Sequence, residues 1–284
     1  MRGASRVPAR FSDSPEFQKL LAGAGRPSLI RIALEIAADA YPDLDIELYL
    51  GKADELAERV RARCEKGAKP RKVLGQINWA LFVEEGYEGN RENYFDPRNS
   101  YLNEVIDRKT GIPISLSILY ASLAERLGVV LEGVNFPAHF MLRLDDSRQP
   151  LFIDPFHAGE FLDRRGCEGR LSDLTHHPVA LSDDQVAPCP PRVIVARMLR
   201  NLKAIYLGTN DFPSALSVQR RLAAAAADEP EEQRDLGMIC LQLDYPGEAI
   251  DPLQAYLAAL PDAADAEPVT ALLNAAWRQV ARWN

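Results

Sequence analysis

Two residue types that do chemistry together stand close in "NFPAHFMLRLDDSRQPLFIDPF", residues 135–156. His139 opens one alternating run and Asp154 closes the next. A carboxylate that accepts an imidazole N–H fixes the ring's tautomer and leaves the other nitrogen free to act as a base, two-thirds of a nucleophilic triad. With "DDSR" (145–148) as a four-residue hairpin loop, Leu144 faces Gln149 and His139 faces Asp154. Directly opposed residues share a sheet face, with Cβ atoms about 4.5–5.5 Å apart, and a one-residue slip would turn Asp154 to the other face. In that geometry Asp154 takes the Nδ1–H of His139 and Nε2 is aimed elsewhere. A satisfied core histidine, with Asp154 capping the turn at Pro155, fits the same letters.

The remaining histidines, His157, His176 and His177, are candidate metal ligands beside Asp154. Adjacent residues in a proline-flanked loop rarely point the same way, so no metal and no cofactor are expected. In "PRNSYLN" (97–103), Arg98, Asn99 and Asn103 either line a pocket or satisfy buried backbone groups. Cys64, Cys167, Cys189 and Cys240 are scattered and form no CxxC. They fit buried or idle thiols of a reducing cytoplasm, the expected location, not a disulfide framework or zinc site.

The elements that must position these side chains are mostly helical. Ser28 can cap a helix carrying Leu29, Ile32, Ala33, Ile36 and Ala40. Pro42 ends it, and Asp43 or Asp45 starts a second that stops near Gly67 and Pro70. "KVLGQINWALFVEE" is a third. "FDPRNSYLNEVIDRKTG" then runs as a loop into a helix, "IPISLSILYASLAERLG", capped by Thr110 or Gly111 and ended by Gly128. Its apolar residues are too many for one stripe, which makes it central and buried. "VVLEGVNF", "HFMLRL" and "PLFIDPF" are strands, and 160–190 is connecting structure. From Pro191 the chain is helical again. "NDFPSAL" (210–216) and "DYPGEAI" (244–250) recur 34 residues apart, the period of tetratricopeptide helix hairpins, though an ordinary Ala-rich bundle has similar composition. The acidic cluster around 228–235 is expected to be a solvated helix start, and 268–282 a capping helix.

A net charge of −8 over 284 residues disfavours nucleic acid and anionic lipid as partners, since both need clustered Lys and Arg. No run of about 18 apolar residues is present, so no membrane span is expected. Residues 1–27 have no apolar signal core and are expected to be a flexible arm. The divisions expected after it are a helical region 28–95, a core 96–190 and a helical domain 191–284.

The block "DPRNSYLNEVIDRKTGIPISLSILYASLAERLGVVLEGVNFPAHFMLRL" with "FIDPFHAGEFL" resembles the SirB-type transglutaminase-like proteins, bacterial proteins with a C-terminal tetratricopeptide-like region. The resemblance covers roughly 28–260. It implies an α+β fold, with a papain/transglutaminase-like core flanked by N-terminal helices and an all-α repeat region. The family usually has Pro-Gly-His-Phe where this chain has Pro137-Ala138-His139-Phe140. Active members of the wider superfamily use a cysteine at the head of the central helix, then a histidine and an aspartate on adjacent strands. His139 and Asp154 match the last two. The cysteine slot, counted back about four helical turns from Leu127-Gly128, holds Pro113, Ile114 or Ser115. Ser115 completes a degenerate Ser–His–Asp set or simply bonds backbone in the first helical turn, and Ser117 faces another side. The reading is therefore a non-catalytic binding or scaffold protein with a protein or peptide partner at its repeat helices. The alternative is a hydrolase or acyl transferase using Ser115, or a water activated by His139 and Asp154.

Overall fold

The N-terminal stretch carries a helix where an arm was expected. In the computed structural model, which describes residues 11, 13–145 and 149–283, α1 runs Pro15–Ala22. Its cause lies further along the chain. The buried carboxylate of Glu35 accepts from the backbone N–H of Glu16 (3.0 Å) and Phe17 (2.8 Å), first-turn donors that no local side chain caps. At the other end, Arg192 donates from Nε to the Leu20 carbonyl (3.4 Å) and from Nη2 to that of Leu21. The part of the arm at residues 1–10 and 12 lies outside the described residues.

Helices α2 (Leu29–Ala38), α3 (Ile46–Arg61) and α4 (Pro70–Asn78) follow. Asp45 caps α3 by accepting from Leu48 N at 3.1 Å, while Ser28 stands at the head of α2 without a side-chain bond. α4 runs on as a π-helical turn, Trp79–Glu84. The stretch expected as a loop holds α5 (Leu102–Arg108), and β1 (Glu88–Gly89) pairs in parallel with β2 (Thr110–Gly111). The central helix α6 (Pro113–Arg126) is buried on nearly every side, as its composition required. The residue at its N-cap is Ile112, not Thr110 or Gly111.

Strands β3 (Glu132–Val134), β4 (Met141–Leu144), β5 (Leu151–Asp154) and β6 (Glu160–Leu162) form an antiparallel meander in that order. Leu144 pairs with Leu151 and Leu142 with Ile153, so the β4–β5 connection spans 145–150, not four residues. Pro150 has no N–H to offer the ladder, which fits the longer loop. The shift from the expected register is two positions, and a period-2 structure keeps its faces under such a shift. Leu142 and Ile153 pack with α6 in the main core, while Met141 and Phe152 join Cys167 and Leu171 in a second cluster.

That second cluster needs α7 (Arg164–Thr175), within the stretch expected to be connecting structure. Gly166 and Gly169 weaken its helical signal. Asp163 offsets this by accepting from Gly166 N at 2.7 Å, and Cys167 and Leu171 are fully buried. α8 (Pro191–Gly208) follows.

The chain divides into two compact units, 1–198 and 199–284. The second contains α9 (Phe212–Ala225), α10 (Pro230–Gln242), α11 (Pro246–Ala259) and α12 (Ala266–Trp283). α9 and α11 begin at positions 212 and 246, which keeps the 34-residue period. A Cβ on Gly237 would lie 2.5 Å from Leu253 Cγ, so glycine is what lets α10 and α11 approach closely. The acidic cluster is not simply solvated. Glu232 is buried and meets Lys203 Nζ at 2.8 Å, Arg200 Nε at 2.9 Å and Gln219 Nε2 at 3.0 Å.

Candidate functional site

Asp154 ends β5 and enters a 3-10 turn, Pro155–His157. Its carboxylate is fully buried. His139 is not on a strand: it lies two residues before β4, its N–H bonded to the Phe136 carbonyl at 3.3 Å. His139 Nε2 sits 3.0 Å from Asp154 Oδ1, yet neither atom has a hydrogen-bond partner of good alignment. The ring therefore presents Nε2, not the expected Nδ1. On the other carboxylate oxygen, His157 Nδ1 lies 2.7 Å from Oδ2 and Arg170 Nη1 donates from 3.2 Å. Arg170 Nη2 also pairs with Glu160. Burial by itself would push the Asp154 carboxyl up, but the imidazoles of His139 and His157 more than reverse this and hold it well below the ordinary range.

The turn that delivers His157 is built by backbone conformation and by distant side chains. Ala158 (φ 54°) and Gly159 (φ 71°) are both left-handed, and Gly159 N closes on the Asp154 carbonyl at 2.9 Å. Asn78, at the end of α4, donates from Nδ2 to the Gly159 carbonyl at 2.8 Å and accepts from the Tyr120 hydroxyl at 2.7 Å. Thus α4 and α6 pin the turn. On the His139 side the strain is Ala138, at φ 58°. An L side chain in this region costs roughly 1–2 kcal/mol, so Ala138→Gly should stabilise the protein by about 1 kcal/mol after the unfolded-state entropy of glycine is set against it. A thermal melt checks this, and a lowered midpoint would mean Ala138 packs better than it strains.

Ser115 is placed differently from a free nucleophile. Its Oγ donates to the Asn99 carbonyl at 2.6 Å, with the Ile112 carbonyl a second acceptor at 3.1 Å, and accepts from Ile112 N at 3.1 Å. It is 1% exposed, which leaves no face for substrate. Ser117 is buried too, its Oγ unpaired among the described residues. Asn99 ties the preceding loop down: its Nδ2 donates to the Asn93 carbonyl at 2.8 Å and its Oδ1 accepts from Asn90 at 3.1 Å. Arg98 forks onto Asp96 at the surface and Asn103 is buried. The cleft that adjoins the site, about 810 Å³ in volume, is walled by other residues, among them Asn90, Arg91, Asn93, Arg108, Phe156 and His157.

Cys167 lies near enough to Asp154 to feel its charge, but burial first and that charge second push its thiol up to about 12, the opposite of an activated nucleophile. His176 and His177 are exposed at the end of α7 and do not join Asp154. His157 does, together with His139: their ligand atoms and that of Asp154 all lie within 4.8 Å of one another. Nothing in the alternation of the strands announces His157. The available signal was Asp-Pro, a turn starter that can bring the residue three positions on back over the carboxylate.

A buried central helix, an antiparallel meander with His139 and Asp154 at one end, and a C-terminal helical repeat define a transglutaminase-like protein with tetratricopeptide repeats. Residues 47–200 match the Transglutaminase-like superfamily and residues 202–274 a Tetratricopeptide repeat. Within that class the chain belongs to the UPF0162 family, the SirB-type proteins. It is 38% identical over 238 residues to a UPF0162 protein of Xylella fastidiosa (strain 9a5c), covering 82% of this chain and 84% of that one. A UPF0162 protein of Vibrio cholerae is 32% identical over 197 residues, 69% of this chain and 73% of that one. A shorter stretch is 40% identical over 104 residues to human F-box only protein 21, covering 34% of this chain and 17% of that protein. Among solved structures, menin aligns with a TM-score of 0.47 at 11% identity, over 94% of this chain and 68% of that chain, a likeness too low to define a shared fold.

Proposed function

We propose that the chain is a non-catalytic binding protein, a transglutaminase-like core without the nucleophilic cysteine, whose tetratricopeptide-like helices hold a peptide or protein partner. The observation that carries the reading is Ser115: at the head of α6 its hydroxyl is fully engaged with backbone. Repeat arrays of this kind build extended binding surfaces from stacked helix pairs. Among the described residues no helix is long and apolar enough to cross a membrane, and the four cysteines are free thiols, which supports a cytoplasmic location.

A serine-reactive phosphonate tests the core. We expect no labelling of the wild type, and Ser115→Ala should cost about 1 kcal/mol of stability through the lost backbone bonds. Labelling that disappears in Ser115→Ala would replace this reading with a serine hydrolase. A second reading, hydrolysis by an activated water, draws on His157: it is bonded to Asp154 and, unlike His139, lines the cleft. Turnover of ester or amide substrates that is lost in Asp154→Asn but kept in Ser115→Ala would select it.

A further inference from the structure

We propose that His139, Asp154 and His157 form a binding site for one divalent transition-metal ion of zinc type, with its open coordination position toward the cleft. The donor set is two imidazoles and one carboxylate, and their ligand atoms lie within 4.8 Å of one another. Ligands held about 2.0–2.2 Å from zinc in a tetrahedral site sit about 3.3–3.6 Å apart from each other. The contacts here, 3.0 Å from His139 Nε2 to Oδ1 and 2.7 Å from His157 Nδ1 to Oδ2, would open by about 0.3–0.9 Å as the two rings move apart around an ion.

The second observation is independent of spacing. His139 and Asp154 are 2% and 0% exposed, and their facing atoms Nε2 and Oδ1 have no aligned hydrogen-bond partner among the described residues. Buried polar atoms are almost always partnered, so two orphans aimed at each other mark a place where a third atom belongs. An ion there would take a lone pair from each.

The surroundings suit a cation. Arg170 approaches Asp154 Oδ2 but is itself paired with Glu160, so its charge is offset. It holds the carboxylate's orientation as an outer partner does in metal sites. His157 lines the cleft with Phe156 and Ala158, and this is the route by which an ion and a water ligand would reach the site. Three protein ligands with one position open are the arrangement of metal centres that keep a water.

The test uses the full chain freed of metal by a chelator and titrated with Co²⁺, whose d–d absorption reports coordination by nitrogen and oxygen. The expected result is a saturable visible band at one ion per chain, displaced by Zn²⁺, with a raised melting midpoint. In His157→Ala the affinity should fall by about 100-fold or more, a larger loss than the removal of an outer partner brings. His157→Gln, which keeps the volume, covers the case in which the alanine variant is unfolded. The double variant His176→Ala/His177→Ala should bind as the wild type does. The proposal is overturned by a wild type that gives no band, by binding that survives His157→Gln unchanged, or by binding that vanishes in the His176/His177 variant.

Discussion

Asp154→Ala should be among the most destabilising single substitutions in the first unit, at about 3–5 kcal/mol. The carboxylate is fully buried and is approached by two imidazoles and the Arg170 guanidinium. Its removal strands the buried His139 outright and takes a partner from the partly exposed His157 and Arg170, and the cost of a stranded partner exceeds the net worth of the pair. His139→Ala should lower the melting midpoint by several degrees for the converse reason. Replacing both His139 and Asp154 by leucine should recover part of the loss, because neither is then left unmatched, and melts of wild type, the two single leucine variants and the double give the coupling directly. A neutral or raised midpoint for His139→Ala would instead indicate a site held at some expense to stability, and would count against the binding-protein reading.

The same carboxylate sets an acid limit. Its folded pKa is depressed by the imidazoles of His139 and His157 working against burial. A depressed folded value contributes stability that is fully present above the unfolded pKa of about 3.9 and is lost as pH falls below it. Wild type should therefore lose more stability than Asp154→Asn on acidification from about pH 4 downward. Parallel slopes would remove Asp154 from the acid response.

The second large effect is expected at Gly159. A Cβ there would lie 2.1 Å from Asn78 Oδ1 and 2.8 Å from Phe82 Cε2, at a backbone φ of 71°. Asn78 cannot retreat, because Tyr120 and the Gly159 carbonyl hold both ends of its amide. Gly159→Ala should cost roughly 3 kcal/mol or more, overpacking added to left-handed strain. Gly67→Ala is the control. It shares the positive φ, at 77°, but has open space around it, and should cost about 1 kcal/mol. Adding Asn78→Ala should relieve part of the Gly159→Ala penalty. Equal costs at the two glycines would mean that the turn is not pinned by Asn78.

What was legible in the sequence follows the range of the interactions involved. α6 was legible because burial on nearly every side writes itself into eleven of its fourteen residues. The meeting of His139 and Asp154 was legible because face parity survives a two-residue register error, even though the loop was counted short and His139 lies off the strand. Of the three histidines that were candidates beside Asp154, the sequence could not single out His157, because its approach depends on two left-handed residues and on Asn78, 81 positions before Gly159. α1 was missed because its N-terminal donors are satisfied by Glu35, beyond any local cap. Asn99 takes the other role the letters allowed, bonding backbone, and the cleft wall instead holds Asn90 and Arg108, beside a two-residue parallel pairing too short to leave a pattern.

The two clamps on α1 carry a consequence for how the chain matures. Eight residues make a helix too short to persist alone in water. Its first-turn amides wait for Glu35, 19 residues on, and although Gly23 and Ala24 close locally on the Leu20 and Lys19 carbonyls, the Leu21 carbonyl waits for Arg192, 171 residues later. As the polypeptide leaves the ribosome at about 5–20 residues per second, that helix stays half-secured until most of the core has emerged. Contacts of such long sequence separation also slow folding. Until Arg192 emerges, α1 with its Phe17 and Leu20 rests on the Glu35 clamp without the second one, which leaves this helix open to a chaperone that scans for loosely held hydrophobic segments.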